Sequence, residues 1–261
     1  MSNNTIDSNK SYQNLIRPSG ASLAYHRTPG SSSNSLPGII FLPGFMSDMN
    51  GEKALAIESF AQKNGQPYVR FDYFGHGDSS GNFTDGHIGI WRKDALAVLD
   101  ELTKGPQLLV GSSMGGWLML LTAIARPERI AGLIGIAAAP DFTEDLLRAE
   151  LTSEQFKEVE DKGFIIIPSD FGNDYIYTRA LFDEGRKHLV LRNNIAVNCP
   201  VRLLHGLKDD VVPWSTAIAI QEKLLGTDVK IILVKDGDHR LSAAPDLECL
   251  VDTLATLVKR F

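Results

Sequence analysis

Residues 107–116 read Gln-Leu-Leu-Val-Gly-Ser-Ser-Met-Gly-Gly, and these ten residues decide the fold. Gln107 to Ser112 is a short apolar run of β type. Met114 to Ala125 is apolar nearly all round, which is the mark of a buried helix rather than a surface one. Between the two sits Gly111-Ser112-Ser113-Met114-Gly115, a G-x-S-x-G motif on a strand-to-helix turn. A turn that sharp needs small neighbours, and Gly111 and Gly115 leave room for backbone to pass. Ser113 is then held clear of the sheet at a helix N-terminus, whose dipole favours developing negative charge. Ser112 does not fit the register, because Val110 and Met114 stand where glycines are needed.

The pattern outward from this turn alternates short β-type runs with helical ones, predicting a mostly parallel, doubly wound α/β sheet with helices on both faces. Ala21 to His26 reads as an early antiparallel strand. Strands follow at Gly38–Leu42, Pro67–Asp72, Gln107–Ser112 and Ile130–Ala137, with helices at Gly51–Lys63, Trp91–Leu102 and Met114–Ala125. The pattern resumes with a strand at Val201–His205, a helix at Ser215–Leu225, a strand at Val229–Val234 and a helix at Pro245–Arg260. Residues 140–198 interrupt it. There Leu146–Lys162 is charged and helical, Phe164–Ile167 is a short β-type run, and Ile176–Gly185 has a helical look. An insertion after the sixth strand stands over the carboxyl ends of the strands, where open α/β sheets bind ligands. The expected organisation is therefore a core of residues 14–139 and 199–261, a small, mainly helical cap at 140–198, and a flexible stretch at 1–13 that is rich in Asn and Ser.

The chain has 261 residues, 43% apolar and 22% charged, enough to bury a large core without disulfide or metal. A formal net charge of −6 gives no basic surface for nucleic acid or anionic lipid, so no nucleic-acid partner is expected. No run of apolar residues is long enough to span a bilayer, so no stable membrane insertion is expected. The two cysteines, Cys199 and Cys249, have no metal or redox spacing and suit a reducing cytosol. No metal constellation is present and no cofactor is expected. Asp72-Tyr73-Phe74-Gly75-His76-Gly77-Asp78-Ser79 is not a dinucleotide fingerprint, because Ser80 stands where the third glycine belongs; the turn reads as structural, His76 included. Nothing in the sequence bears on oligomeric state.

The serine needs a base, and the base an orienting acid. On a strand–G-x-S-x-G–helix scaffold, that of the α/β-hydrolase fold, the chain order is Ser, Asp or Glu, His. After the strand at 201–205 comes His205-Gly206-Leu207-Lys208-Asp209-Asp210, and Asp209 is where the turn carries the acid. Asp210 is the adjacent alternative and Asp141 a remoter one. His239, in Asp236-Gly237-Asp238-His239-Arg240, is the one histidine at a strand exit downstream of the acid; His205 precedes it and reads as a structural turn residue. Ser113 is thus the expected nucleophile, His239 the general base and then acid, Asp209 the residue that fixes the imidazole tautomer. The expected oxyanion donors are the backbone N–H groups of Met114 and Phe45, the latter in the loop Leu42-Pro43-Gly44-Phe45-Met46. Phe45, Met46, Met49, Met114 and Phe142 are the candidate lining of an acyl pocket.

Longer strings carry a more specific resemblance. Leu42-Pro43-Gly44-Phe45, Lys53-Ala54-Leu55-Ala56-Ile57-Glu58, Arg70-Phe71-Asp72-Tyr73, Trp91-Arg92-Lys93-Asp94, Gly111 to Leu120, Asn198-Cys199-Pro200, His205 to Trp214 and Asp238-His239-Arg240 resemble the α/β-hydrolase family of mitochondrial palmitoyl-protein thioesterases and acyl-glucuronide esterases. The likeness covers nearly the whole chain after residue 36, and less of the cap. It implies a triad at Ser113, Asp209 and His239, and S-depalmitoylase and carboxylesterase activity, thioester and ester hydrolysis, on small or acylated substrates. The N-terminus lacks the arginine-rich character of a transit peptide, so a bacterial-type cytoplasmic relative is expected, or a matrix protein whose presequence has been removed. A C–C bond hydrolase or perhydrolase, and a silent ligand-binding member of the same fold, are the alternatives.

Overall fold

The computed structural model describes residues 12–31, 35–168 and 174–261. The expected flexible stretch at 1–13 lies outside them except for its last two residues. The chain opens with two antiparallel strands, β1 (Gln13–Ile16) and β2 (Ser22–Thr28). It then alternates through β3 (Gly38–Leu42), α1 (Glu52–Lys63), β4 (Tyr68–Phe71), α2 (Ile88–Leu102), β5 (Gln107–Ser112), α3 (Met114–Ala125) and β6 (Ile130–Ile136). A π-helical turn, Thr143–Leu147, leads into α4 (Arg148–Glu150), α5 (Ser153–Lys162), β7 (Phe164–Ile167), β8 (Tyr175–Thr178) and α6 (Arg179–Gly185). The sheet resumes with β9 (Val201–Gly206), α7 (Ser215–Lys223) and β10 (Val229–Val234), and the last helix is α8 (Ala244–Val258).

Eight strands form one sheet in the order β1-β2-β4-β3-β5-β6-β9-β10. From β4 to β10 every pairing is parallel, and β2 joins β4 antiparallel. β3, β5, β6 and β9 are buried along their whole length. That explains why β3, β5 and β6 read as nearly continuous apolar runs and not as alternating ones: helices cover both faces. Two cores result. On one face Ala54, Ile57 and Ala61 of α1 meet Leu250, Leu254 and Leu257 of α8. On the other, Trp91 and Val98 of α2, Trp117 of α3 and Ile220 of α7 pack against the sheet.

α3 lies so close to the sheet that only glycine fits at its first turn. A Cβ on Gly115 would sit 2.0 Å from the Leu42 carbonyl oxygen and 2.6 Å from that of Pro43. Both obstacles are backbone at the end of a buried strand and cannot step aside. Gly115→Val is expected to cost more than about 4 kcal/mol, the range of severe overpacking. Urea unfolding should show a midpoint far below wild type, or no soluble protein; an unchanged midpoint would mean the turn is looser than drawn.

Several boundaries differ from the sequence reading. The helix read from Ile176 is in part a strand: Tyr175–Thr178 pairs antiparallel with Phe164–Ile167, and the helix starts only at Arg179. Thr178 marks the switch, since its hydroxyl accepts the Leu181 N–H at 3.1 Å as an N-cap. The helix read over Leu146–Lys162 is broken at Leu151-Thr152, where Thr152 and Gln155 form a capping box that starts α5 afresh. The segment between β6 and β9 is thus helices plus a hairpin. β1 was not expected, and it lies at the very edge of the sheet.

Candidate active site

Ser113 stands between β5 and α3 with φ 53° and ψ −120°, a left-handed conformation that costs a non-glycine residue about 1–3 kcal/mol. Its backbone is fixed on both sides. Ser113 N–H donates to Ile136 O at 2.9 Å, and Ser113 O accepts from Gly116 at 2.8 Å and Ala139 at 3.0 Å. The turn therefore leans on the end of β6, and the serine side chain emerges above the sheet.

Two other strand exits bring their side chains to it. His239 Nε2 lies 3.1 Å from Ser113 Oγ, and His239 Nδ1 lies 2.9 Å from Asp209 Oδ2. The Asp209 carboxylate is fully buried and the imidazole 16% exposed. These loops can meet because Gly206 has no side chain: a Cβ there would be 2.2 Å from Gly237 O.

Asp209 is held by four donors. Oδ1 accepts from Val211 N–H at 2.9 Å and Val212 N–H at 2.8 Å. Oδ2 accepts from His239 and also lies 3.1 Å from His205 Nε2. Burial alone would raise the carboxyl pKa; hydrogen bonds from His205, His239 and the Val212 amide outweigh it and hold the group well below the usual carboxylate range. His205 was read from sequence as a turn residue. It is 1% exposed, and its Nε2 also lies 2.9 Å from Val212 O, so that nitrogen carries the proton and donates to Asp209. Its place at the carboxyl end of a strand, four residues before the acid, was the available signal.

The alternative acids sit elsewhere. Asp210 is exposed at the edge of the cleft. Asp141, also with a positive φ of 57°, is buried and accepts from Val190 N–H at 2.8 Å and Leu191 N–H at 2.9 Å. It ties the end of the 140–198 segment back to its start and does not reach His239.

Phe45 and Met114 flank Ser113 from two sides, both lining the same cleft. Among the described residues neither backbone N–H has an acceptor. Met46 N–H is engaged, with His76 Nε2 at 3.3 Å, while the Phe45 N–H before it is not. The cleft encloses about 580 Å³, within the roughly 300–1,000 Å³ of small-molecule sites. Met46 and Phe142 line it. Met49 does not: it is fully buried in the core, and its N–H donates to Asp72 at 2.7 Å. The sequence reading missed Tyr175 and Tyr177 of β8, which stack on each other at 5.9 Å. Tyr177 stacks on Phe45 at 5.7 Å, and Phe142 meets Phe45 edge-on at 5.9 Å. The loop after β3, the start of the 140–198 segment and β8 thus share one aromatic wall. Lys53 of α1 borders the opposite side, donating to Arg240 O and, at 3.3 Å, to Ser242 Oγ. Burial lowers its pKa to about 8.

A family model of the alpha/beta hydrolase fold matches residues 37–162. Human mitochondrial palmitoyl-protein thioesterase ABHD10 is 47% identical over 248 residues, covering 94% of this chain and 79% of the human one. The structure of mouse alpha/beta hydrolase domain-containing protein 10 superposes with a TM-score of 0.88 at 43% identity, over 96% of this chain and 99% of that one. The crystal structure of a hydrolase from Agrobacterium vitis S4 superposes with a TM-score of 0.89 at 37% identity, over 95% of this chain and 97% of the other.

Proposed function

This chain belongs to the α/β-hydrolase family of the mitochondrial palmitoyl-protein thioesterases and hydrolyses ester or thioester bonds, and on that premise we propose that it works through an acyl-enzyme on Ser113. The observation that carries the reading is the unbroken line Ser113 Oγ, His239 Nε2, His239 Nδ1, Asp209 Oδ2, at 3.1 and 2.9 Å. Asp209 keeps the Nδ1 proton in place, so Nε2 presents its lone pair to the serine. Ser113 Oγ attacks the carbonyl carbon while His239 takes the hydroxyl proton. The negative charge that forms on the carbonyl oxygen is met by the N–H groups of Met114 and Phe45. Collapse of the tetrahedral intermediate expels the thiolate or alkoxide, which leaves with the proton from His239. Water, deprotonated by His239, then attacks the acyl-enzyme and frees Ser113.

The acyl group sits in the cleft against Phe142, Tyr175 and Tyr177, and Met46 completes its lining. Residues 140–198 act as the cap of a core made of 14–139 and 199–261, because they supply those three aromatic side chains. A long apolar wall beside the nucleophile favours a fatty acyl chain, and the name of the human relative, a palmitoyl-protein thioesterase, points the same way. None of the described helices is long and apolar enough to cross a membrane. The relatives named mitochondrial support an interior compartment for this chain, the matrix of a mitochondrion or, in a bacterium, the cytoplasm.

Hydrolysis of p-nitrophenyl esters and acyl-CoA thioesters from two to sixteen carbons tests the pocket. The expected kcat/KM rises with chain length to an optimum beyond the short chains. Tyr177→Ala should lower it about tenfold at that optimum and little for acetyl, since the lost contact is with distal methylenes. Best turnover on acetyl, falling steadily with length, would refute the acyl assignment.

A further inference from the structure

The turn between β4 and α2 is tied to the oxyanion loop by two buried side chains. Asp72 Oδ1 accepts Met49 N–H at 2.7 Å, while its Oδ2 accepts Asp78 N–H at 2.9 Å within the turn itself. His76 makes the second tie. Its Nε2 lies 3.3 Å from Met46 N and its Nδ1 3.2 Å from Phe74 O. An amide can only donate and a carbonyl can only accept, so the ring is neutral, with its proton on Nδ1 and its Nε2 lone pair on Met46. The surroundings keep it so. The ring is 4% exposed and packs edge-on against Tyr73, Phe83 and Trp91 at 5.7, 5.1 and 5.1 Å. Burial lowers its pKa to about 4. Phe83 and Trp91 also pack on the Phe45 ring, at 5.0 and 6.0 Å. One aromatic cluster thus grips both the side chain of Phe45 and the amide that follows it. Met46 itself is held at φ 54°, a conformation a methionine adopts only when its surroundings impose it.

We propose that His76 is a positioning residue for the oxyanion hole: by accepting Met46 N–H it holds the loop in the turn that leaves Phe45 N–H to receive the substrate oxygen. The proposal rests on the assignment of Phe45 as a donor. Without the acceptor, Met46 N–H would be left unsatisfied in a part-buried site, and rotation of that peptide to find a partner would carry Phe45 off its aim. His76 touches no reacting atom, so its effect should fall on stabilisation of the oxyanion and not on ground-state binding.

Two variants separate the two bonds. His76→Gln can still reach Met46 with its side-chain carbonyl. His76→Asn keeps a donor to Phe74 but is too short for Met46. Each is assayed for p-nitrophenyl ester hydrolysis and for inhibition by an alkyl trifluoromethyl ketone, which forms a hemiketal on Ser113 with its oxyanion in the hole. His76→Asn should lose about ten- to a hundredfold in both kcat and ketone affinity, with KM within about threefold of wild type. His76→Gln should recover most of both. Equal losses in the two variants, or no loss in either, would overturn the proposal. Should the asparagine variant fail to fold, His76→Leu takes its place in the same comparison. A wild-type enzyme that the ketone does not inhibit, or a Ser113→Ala variant that still turns over ester, would count instead against the catalytic assignment.

Discussion

Ser113→Ala is expected to lose at least about 10⁴-fold in kcat on any ester or thioester the wild type cleaves, as removal of a triad nucleophile does elsewhere. The reason is that among the described residues no second nucleophile stands in line. His239 Nε2 is within 3.1 Å of Ser113 Oγ, and the neighbouring Ser112 belongs to β5, buried in the sheet. The fold should survive. Alanine keeps the Cβ and meets the same steric cost at φ 53°. The backbone bonds to Ile136, Gly116 and Ala139 do not involve the hydroxyl. Steady-state assay beside thermal unfolding checks both halves: activity lost, melting temperature within a few degrees. Residual turnover near the wild-type rate would remove Ser113 from the mechanism.

Asp209→Asn should cost nearly as much, about 10⁴-fold in kcat by the logic of triad acids. Asparagine can place its carbonyl oxygen where Oδ1 now accepts from Val211 and Val212 at 2.9 and 2.8 Å. Its amide nitrogen then occupies the Oδ2 position and points protons at His239 Nδ1 and His205 Nε2. His239 must turn its lone pair to Nδ1 to accept, which puts the proton on Nε2, facing the serine. In that tautomer it cannot act as the base. Asp210→Asn is the control, because Asp210 is exposed and makes none of these bonds; its kcat/KM should stay within about threefold. A severe loss in Asp210→Asn with a mild one in Asp209→Asn would move the acid by one residue. The kinetic comparison of the two variants over pH 5 to 9, on one substrate, decides it.

The sheet was legible because most of its strands are buried on both faces. Gly38–Leu42 and Gln107–Ser112 match the sequence reading to the residue, since a buried apolar run bounded by turn residues leaves few other lengths; Val229–Val234, the half-exposed edge strand, matches too, through its β-type composition. The candidate site was legible for a different reason. A G-x-S-x-G turn fixes one residue, and chain order plus strand exits then leave few choices for the acid and the base. Ser113 and Asp209 each lie within hydrogen-bond distance of His239, at 3.1 and 2.9 Å. The same reasoning fails where a residue's partner is distant. Tyr175–Thr178 becomes a strand only because Phe164–Ile167 lies beside it, and nothing local announces that pairing. β1 is four residues at the sheet edge with little buried surface to declare it. Met49 looked like pocket lining by proximity to Phe45, yet the loop turns it into the core. His205 and His76 are the instructive cases. Sequence reads both as structural; His205 lies near the end of β9 and turns a ring nitrogen to Asp209, and His76 lies in the turn after β4 and turns one to Met46 N–H.

The most direct test of Ser113 as the point of covalent attack is active-site titration with a fluorophosphonate, followed by peptide mapping. The expected result is one equivalent bound per chain, the label on the peptide carrying Ser113, and thioesterase activity falling in step with labelling. Complete inactivation with the label on another residue, or full thioester turnover by protein that takes up no label, would contradict it.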